Sequence, residues 1–245
     1  MAVVSVAVSP DGHSIASTSL DSTLIIWDLL SGQKVHEMSK ENVESPMDVW
    51  KVVFSPDGSQ VAAGSHTGKV IIYGIKNATV DRVLDTRGKF VLSVAWSPDG
   101  KYISCGSVDG VVCVCDVAQG KLLHTVEAHR AAVRSVAFAP SSQLLASASD
   151  DGTASASLLA TLELKSWAVC VAWSPDGSRV AVAAADGTVR VAQAEDLKVV
   201  HTFHEHTDTV WDLQFNSKGD KLISIAKDKC INIYECPVPQ KPAKK

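Results

Sequence analysis

The sequence lacks a cysteine framework. Its six cysteines (Cys105, Cys113, Cys115, Cys170, Cys230 and Cys236) are too few and too irregularly placed to staple 245 residues, and no C-x-x-C pair occurs. No stretch approaches the ~20 apolar residues needed to span a bilayer as a helix. The opening MAVVSVAVSPDG has no basic segment, and Ser5 and Ser9 interrupt its apolar run, which argues against a secretory signal. Nor is there an excess of one charge: 23 Lys and Arg against 27 Asp and Glu leave a net charge of −4. No overall field therefore draws the chain onto nucleic acid or anionic lipid. An intracellular, reducing compartment is the expectation. What remains is 46% apolar and 20% charged residues, ample for a core, in a length that holds one large all-β domain or two small ones.

A repeat organises that material. Ser-Pro-Asp-Gly occurs at Ser9–Gly12, Ser55–Gly58, Ser97–Gly100 and Ser174–Gly177, with degenerate copies at Ala139–Ser142 and Asn216–Gly219. The spacings are 46, 42, 42, 35 and 42 residues, and a period near ~42 is that of a four-stranded propeller blade. Proline presets one dihedral of a tight turn, and Asp-Gly supplies an acceptor and a residue tolerant of positive φ. An alternating segment precedes each turn (VVSVAV, VWKVVF, VLSVAW, VRSVAF, AVCVAW, VWDLQF), and a second strand follows. A third strand (TLIIWD, KVIIYG, VVCVCD, TVRVAQ, CINIYE) comes next in all but the fourth repeat.

Along the first strand one face is large (Val6/Val8, Val94/Trp96, Val136/Phe138, Val171/Trp173) and the other small (Ser5/Ala7, Ser93/Ala95, Ser135/Ala137, Cys170/Ala172). Sheets stacked radially, covered on both faces, need this pattern, whereas a half-solvated sandwich would carry charge on one face. The expected fold is an all-β WD40 β-propeller with six recognisable blades over 1–236. In WD40 proteins a His before the first strand, a Ser or Thr on the second, an Asp in the next turn and a Trp on the third form a buried hydrogen-bond chain. The resemblance assigns this structural role to Ser19, Asp21, Trp27, Asp109, His129, Asp151, Asp186, His206, Ser224, Asp228 and Tyr234. The last blade is the most complete, although Tyr234 replaces Trp, and the first has Trp27-Asp28 without the His.

Longer runs are more specific. Leu84–Tyr102 (LDTRGKFVLSVAWSPDGKY), Gly120–Ser135, Gln143–Gly152, His201–Trp211 and Ile231–Pro237 (INIYECP) resemble the WD40-repeat subunit of the superkiller complex, also found with the polymerase-associated factor complex. The resemblance runs from Val3 to Pro237. It implies a seven-bladed, non-catalytic propeller in nucleus and cytoplasm, whose partners are a tetratricopeptide scaffold, a helicase and polymerase-associated factor subunits. Its implied roles are exosome-linked RNA decay, transcription elongation and histone modification. Against that family the opening blade and the closing strand are expected to be absent. The short spacing after Ala139 also predicts a truncated, malformed blade near 153–165, and a chain less stable than a closed ring.

Catalytic and cofactor signatures are weak. Gly64–Lys69 has one residue too few for a phosphate loop, and Val70 stands where Ser or Thr would hold magnesium. No G-x-S-x-G elbow occurs. His201, His204 and His206 cluster, but His201 has counterparts at His36 and His124, which reads as a repeated fourth strand rather than a metal site. Cys113 and Cys115 share a strand face and read as core, and Asn77-Ala78-Thr79 is a glycosylation sequon an intracellular chain would not use. No cofactor, metal, small-molecule substrate, membrane or direct nucleic-acid partner is expected.

Protein binding is better supported. The first entry of the large-face column reads Val4, Trp50, Leu92, Arg134, Val169 and Trp211, near the mouth of the central channel. Tryptophan and arginine are enriched in binding hot spots. His66, Val108, Asp150 and Lys227, each just before a blade-turn Asp position, are expected beside them. The bland alternative is that Trp50 and Trp211 plug the channel. Pro237–Lys245 is rich in proline and lysine with nothing to bury, and is expected to be disordered. The leading expectation is a scaffold subunit, ahead of a WD40 peptide reader or ubiquitin-ligase substrate receptor. A propeller enzyme would need convergent acids or metal ligands.

Overall fold

A computed structural model describes residues 2–38, 49–156 and 160–236. Its strands form six antiparallel sheets, each built by consecutive chain segments. The first contains β1 (Val3–Val8), β2 (Ser14–Ser19), β3 (Leu24–Asp28) and β4 (Lys34–Met38). The second contains β5 (Val49–Phe54), β6 (Gln60–Ser65), β7 (Lys69–Gly74) and β8 (Thr79–Asp85). The third contains β9 (Val91–Trp96), β10 (Tyr102–Ser107), β11 (Val111–Asp116) and β12 (Lys121–Glu127). The fourth contains β13 (Val133–Phe138), β14 (Leu145–Ser149), β15 (Thr153–Ala156) and β16 (Thr161–Glu163). The fifth contains β17 (Ala168–Trp173), β18 (Arg179–Ala184), β19 (Val189–Gln193) and β20 (Val199–Phe203). The last has three strands, β21 (Val210–Phe215), β22 (Lys221–Ala226) and β23 (Ile231–Glu235).

The Ser-Pro-Asp-Gly turns join the first and second strands of a sheet. At the first copy the Ser9 hydroxyl donates to the Asp11 carboxylate at 2.5 Å and accepts the Ser14 N–H at 2.8 Å. Gly12 closes the turn onto the Ser9 carbonyl at 2.9 Å with φ of +71°. A Cβ disfavours that conformation. The degenerate fourth copy nevertheless puts Ser142 there, at φ +61°.

Successive sheets lean on one another through their innermost strands, β1 on β5, β5 on β9, β9 on β13, β13 on β17 and β17 on β21. Five apolar clusters fill the five interfaces. Leu24, Ile26 and Met38 of the first sheet pack on Val52, Val61 and Tyr73 of the second, and Val189 and Val191 of the fifth pack on Leu213, Phe215 and Leu222 of the last. Packing is close enough that a Cβ on Gly106 would lie 2.5 Å from a Val133 methyl. The small column of the innermost strands has a further use, because its hydroxyls tie neighbouring sheets together. Ser5 accepts the Val52 N–H at 3.3 Å, Ser93 donates to the Val133 carbonyl at 3.4 Å, and Ser135 accepts the Val171 N–H at 3.3 Å. At the next interface the Cys170 thiol donates to Asp212 at 3.0 Å, and burial pushes that thiol's pKa up to about 12. These strands surround a central cavity of about 750 Å³. Among the described residues β21 and β1 make no comparable contact, and Val6 and Val8 at one end and Ile231 and Ile233 at the other are exposed.

One expectation needs correction. The fourth sheet is shortened but not malformed, since β15 and β16 pair over three residues, Thr153 with Glu163, Ala154 with Leu162 and Ser155 with Thr161. The short spacing removes length from the outer hairpin. β13 and β14 keep their register, and Ala146, Ala148, Ala154 and Ala156 fill the face toward Val171 and Trp173. Residues 157–159, inside the suspected truncation, and 237–245, the expected tail, lie outside the described residues.

Candidate functional site: the rim of the innermost strands

Every innermost strand breaks register at the same place. The pairing shifts between Val3 and Ser5, Val49 and Lys51, Val133 and Ser135, Ala168 and Cys170, and Val210 and Asp212. In β9 it shifts opposite Gly106 and Ser107, between Ser93 and Val91. The skipped residues are Val4, Trp50, Leu92, Arg134, Val169 and Trp211, the column singled out in the sequence. A β-bulge frees one residue from the ladder and re-aims its side chain, and bulges gather beside functional sites.

Trp50 is 37% exposed and Trp211 54%, and Arg134 is exposed as well. Leu92 departs from expectation: it is buried at 7% exposure, so it supports the rim rather than lining it. The hairpin residues expected beside this column are there in part. Arg134 makes a bidentate bridge to Asp150, with Nε–Oδ1 2.8 Å and Nη2–Oδ2 2.6 Å. His66 lies near Trp50 through a third ring, with Trp50 edge-on to Phe90 at 5.5 Å and His66 at 4.8 Å from Phe90. Lys227 instead pairs with Asp208 at 3.3 Å.

Phe90 was not singled out, nor was Trp167, 56% exposed on the fifth sheet. Both stand two residues before a bulge residue, and a repeated hydrogen bond fixes that position. Its carbonyl accepts an N–H from the hairpin after the second strand: Val108 to Phe90 at 3.0 Å, Asp150 to Ala132 at 3.0 Å, Ala185 to Trp167 at 3.0 Å and Lys227 to Thr209 at 2.9 Å. Counting two residues back from Leu92 and Val169 would have found both aromatics.

The buried network below the rim is structural. His206 bridges Ser224 at 2.7 Å and Asp228 at 2.9 Å, and Ser224 donates to the Tyr234 hydroxyl at 3.2 Å. The N–H of Cys230, then those of Thr207 and the His206 ring, hold the Asp228 carboxyl down to about 2 against its desolvation. His129 similarly bridges Ser147 at 2.8 Å, Thr153 at 2.9 Å and Asp151 at 3.2 Å. Trp27 reaches Ser17 at 2.8 Å, not Ser19, whose hydroxyl donates to the Ala2 carbonyl at 3.1 Å. Trp27 pairs with Ile15 across the strands, so its indole N–H meets the serine two residues on, the register in which Tyr234 meets Ser224. Asp21 and Asp186 lie outside such chains: they accept the hydroxyls of Thr23 and Thr188 at 2.6 and 2.5 Å, and Asp109 accepts that of Ser107. The His201 ring lies tilted at 55° beside Phe203, 4.3 Å between centroids, rather than joining His206. Among the described residues no group of three His, Cys, Asp or Glu side chains is placed to hold a metal ion.

Fold and rim together define a WD-repeat propeller, whose family generally serves protein interaction without catalysis. The WD40 family (WD domain, G-beta repeat) matches residues 1–28, 34–74, 81–116, 120–155, 156–192 and 197–235, and this chain belongs to it. It is similar to WD repeat-containing protein SL1-17 of Schistosoma mansoni, 34% identical over 281 aligned positions covering 96% of this chain and 79% of that protein. Cleavage stimulation factor subunit 50 of Arabidopsis thaliana is 31% identical over 84 residues, 30% of this chain and 20% of that protein. Autophagic-related protein 16.2 of Caenorhabditis elegans is 31% identical over 84 residues, 34% of this chain and 16% of that protein.

Proposed function

We propose that this propeller is a scaffold subunit that joins a tetratricopeptide protein and a helicase in a superkiller-type assembly for RNA decay, and that it also accompanies the polymerase-associated factor complex during transcription. Service in both assemblies would place it in cytoplasm and nucleus. The observation that carries the reading is the rim. Six register breaks free six side chains, and exposed Trp50, Trp167 and Trp211 with the Arg134–Asp150 pair give it hot-spot chemistry. The choice of assembly rests on the runs Leu84–Tyr102 and Ile231–Pro237. Affinity purification of the tagged chain, with mass spectrometry, tests it. Tetratricopeptide and helicase subunits, or polymerase-associated factor subunits, should co-purify. Recovery of neither set would overturn the assignment.

One observation favours a second reading. Trp50, Phe90 and His66 form an aromatic corner, which suits a reader of short peptides. Histone or cullin-type partners in the same purification would select that reading.

A further inference from the structure

The last sheet is one strand short of the other five among the described residues, and the consequence falls on Ile231. At this position the complete sheets carry Leu24, Val70, Val112, Ala154 and Val189, each opposite one apolar residue of the fourth strand: Met38, Leu84, Val126, Leu162 and Phe203. Those third-strand residues are at most 5% exposed, whereas Ile231 is 69% exposed. An apolar partner is missing from its register.

Among the described residues, backbone groups are open along the same edge. Cys230 accepts from Ala226 and the Cys236 N–H donates to Asp220, so these two face β22. Alternation then turns the N–H and C=O of Ile231, Ile233 and Glu235 outward. The counterparts of Glu235 use these groups on a fourth strand: Asp28 N–H to Gln33 at 2.9 Å, and Gln193 N–H to Lys198 at 3.0 Å. Beside the edge lies a cleft of about 880 Å³, walled by Val191, His201 and Phe203 of the fifth sheet and by Glu235 and Cys236.

We propose that the open edge of β23 captures an extended segment of another polypeptide, which adds as a fourth antiparallel strand with an aliphatic or aromatic side chain opposite Ile231 and a basic residue near Glu235. Two of the chain's five fourth strands offer a template for such a segment. Lys121-Leu-Leu-His-Thr-Val126 and Lys198-Val-Val-His-Thr-Phe203 each place a lysine five residues before the apolar partner, and Lys121 pairs with Asp116, the counterpart of Glu235. Glu195 lines the cleft with Arg179 and Glu235, and Glu235 already holds a lysine, Lys221, at 3.3 Å, so a basic residue of the added strand would share that carboxylate. Main-chain bonds supply affinity in strand addition, and side-chain pockets supply selectivity. This edge is separate from the rim and does not depend on the scaffold assignment.

The test uses the whole 245-residue chain and a labelled KLLHTVE peptide, the sequence of β12. Saturable binding by fluorescence anisotropy is expected, with new hydrogen-exchange protection of the Ile231, Ile233 and Glu235 amides. KLLHPVE should not bind. Ile231→Lys should weaken binding at least about tenfold with an unchanged melting temperature, since the side chain is exposed, and Glu235→Lys should weaken it as well. Absence of saturable binding at millimolar peptide, equal binding of KLLHPVE, or indifference to Ile231→Lys would overturn the proposal. Protection of the same amides without peptide, in a concentration-dependent dimer seen by sedimentation, would assign the edge to a second copy and overturn it too.

Discussion

Truncating Trp211 should separate grip from stability. Its side chain is 54% exposed on a bulge, and it makes no ring contact among the described residues. An exposed substitution of this kind changes stability by no more than about 0.5 kcal/mol. For a chain of this length that is a melting shift within about 2 °C. Trp50 differs, because its edge-on contact with Phe90 at 5.5 Å is a pair worth about 0.5–1.5 kcal/mol. Trp50→Ala should therefore lower the melting temperature by roughly 1–6 °C. A hot-spot indole contributes about 2 kcal/mol or more to binding, about thirtyfold in affinity. Calorimetric melting, with titration of whichever partner the purification recovers, measures both quantities. Trp211→Ala should lose about thirtyfold in affinity at constant melting temperature. A melting drop above about 5 °C for Trp211→Ala, with affinity falling in proportion, would make the indole a channel plug and refute the reasoning.

His206→Ala should destabilise by about 1–3 kcal/mol, because it strips the buried Ser224 hydroxyl of a 2.7 Å partner. A denaturant titration of His206→Ala, Ser224→Ala and the double variant should show non-additivity, and additive losses would deny the network. Lys229→Gly should stabilise by about 1 kcal/mol, since φ of +68° strains a residue with a Cβ and the side chain is exposed; an unchanged or lower denaturation midpoint would contradict this. Acid should unfold the chain through its turns. The Ser55 hydroxyl and Ser59 groups hold Asp57 below the usual carboxylate range; burial alone would raise Asp176, but the Ser174 and Ser178 hydroxyls bring it to about 2. A depressed folded-state value means that the stabilisation is complete above about pH 4 and is lost as pH falls toward 2. Ser174→Ala should move the acid midpoint upward in a circular-dichroism titration, and an unmoved midpoint would count against the turn as its source.

Local signals carried most of the fold into the sequence. Proline and Asp-Gly mark the first turn of each sheet, and alternation along Val133–Phe138 or Ala168–Trp173 marks the strand that follows or precedes it. Signals that depend on pairing were harder to read. Ser17 and Ser19 occupy the same face of β2, so sequence alone does not say which meets Trp27; only the register of Trp27 opposite Ile15 decides. Leu92 shares the bulge position of Trp50 yet is buried, because burial depends on neighbouring sheets that a one-dimensional repeat does not contain. The fourth sheet kept its four strands for a similar reason: three paired residues suffice for an outer hairpin whose Ala154, Ala156 and Leu162 pack on the fifth sheet.

The bulge explains how one repeat can be strict and variable within three residues. In β13, Val133 is fully buried against Gly106, Arg134 is skipped by the ladder, and Ser135 bonds the next sheet. In β17 the same order runs Ala168, Val169 and Cys170, and in β21 Val210, Trp211 and Asp212. The first member must be small and apolar because a neighbouring sheet lies against it. The third is confined to residues that can bond across the interface. The middle member is skipped by the ladder, and except in β9, where Leu92 is buried, its identity is less constrained by the fold. Trp, Arg and Val occupy it in different blades, and that variation is what the proposed binding of partners at the rim predicts, whereas a repeated channel plug would favour one kind of residue.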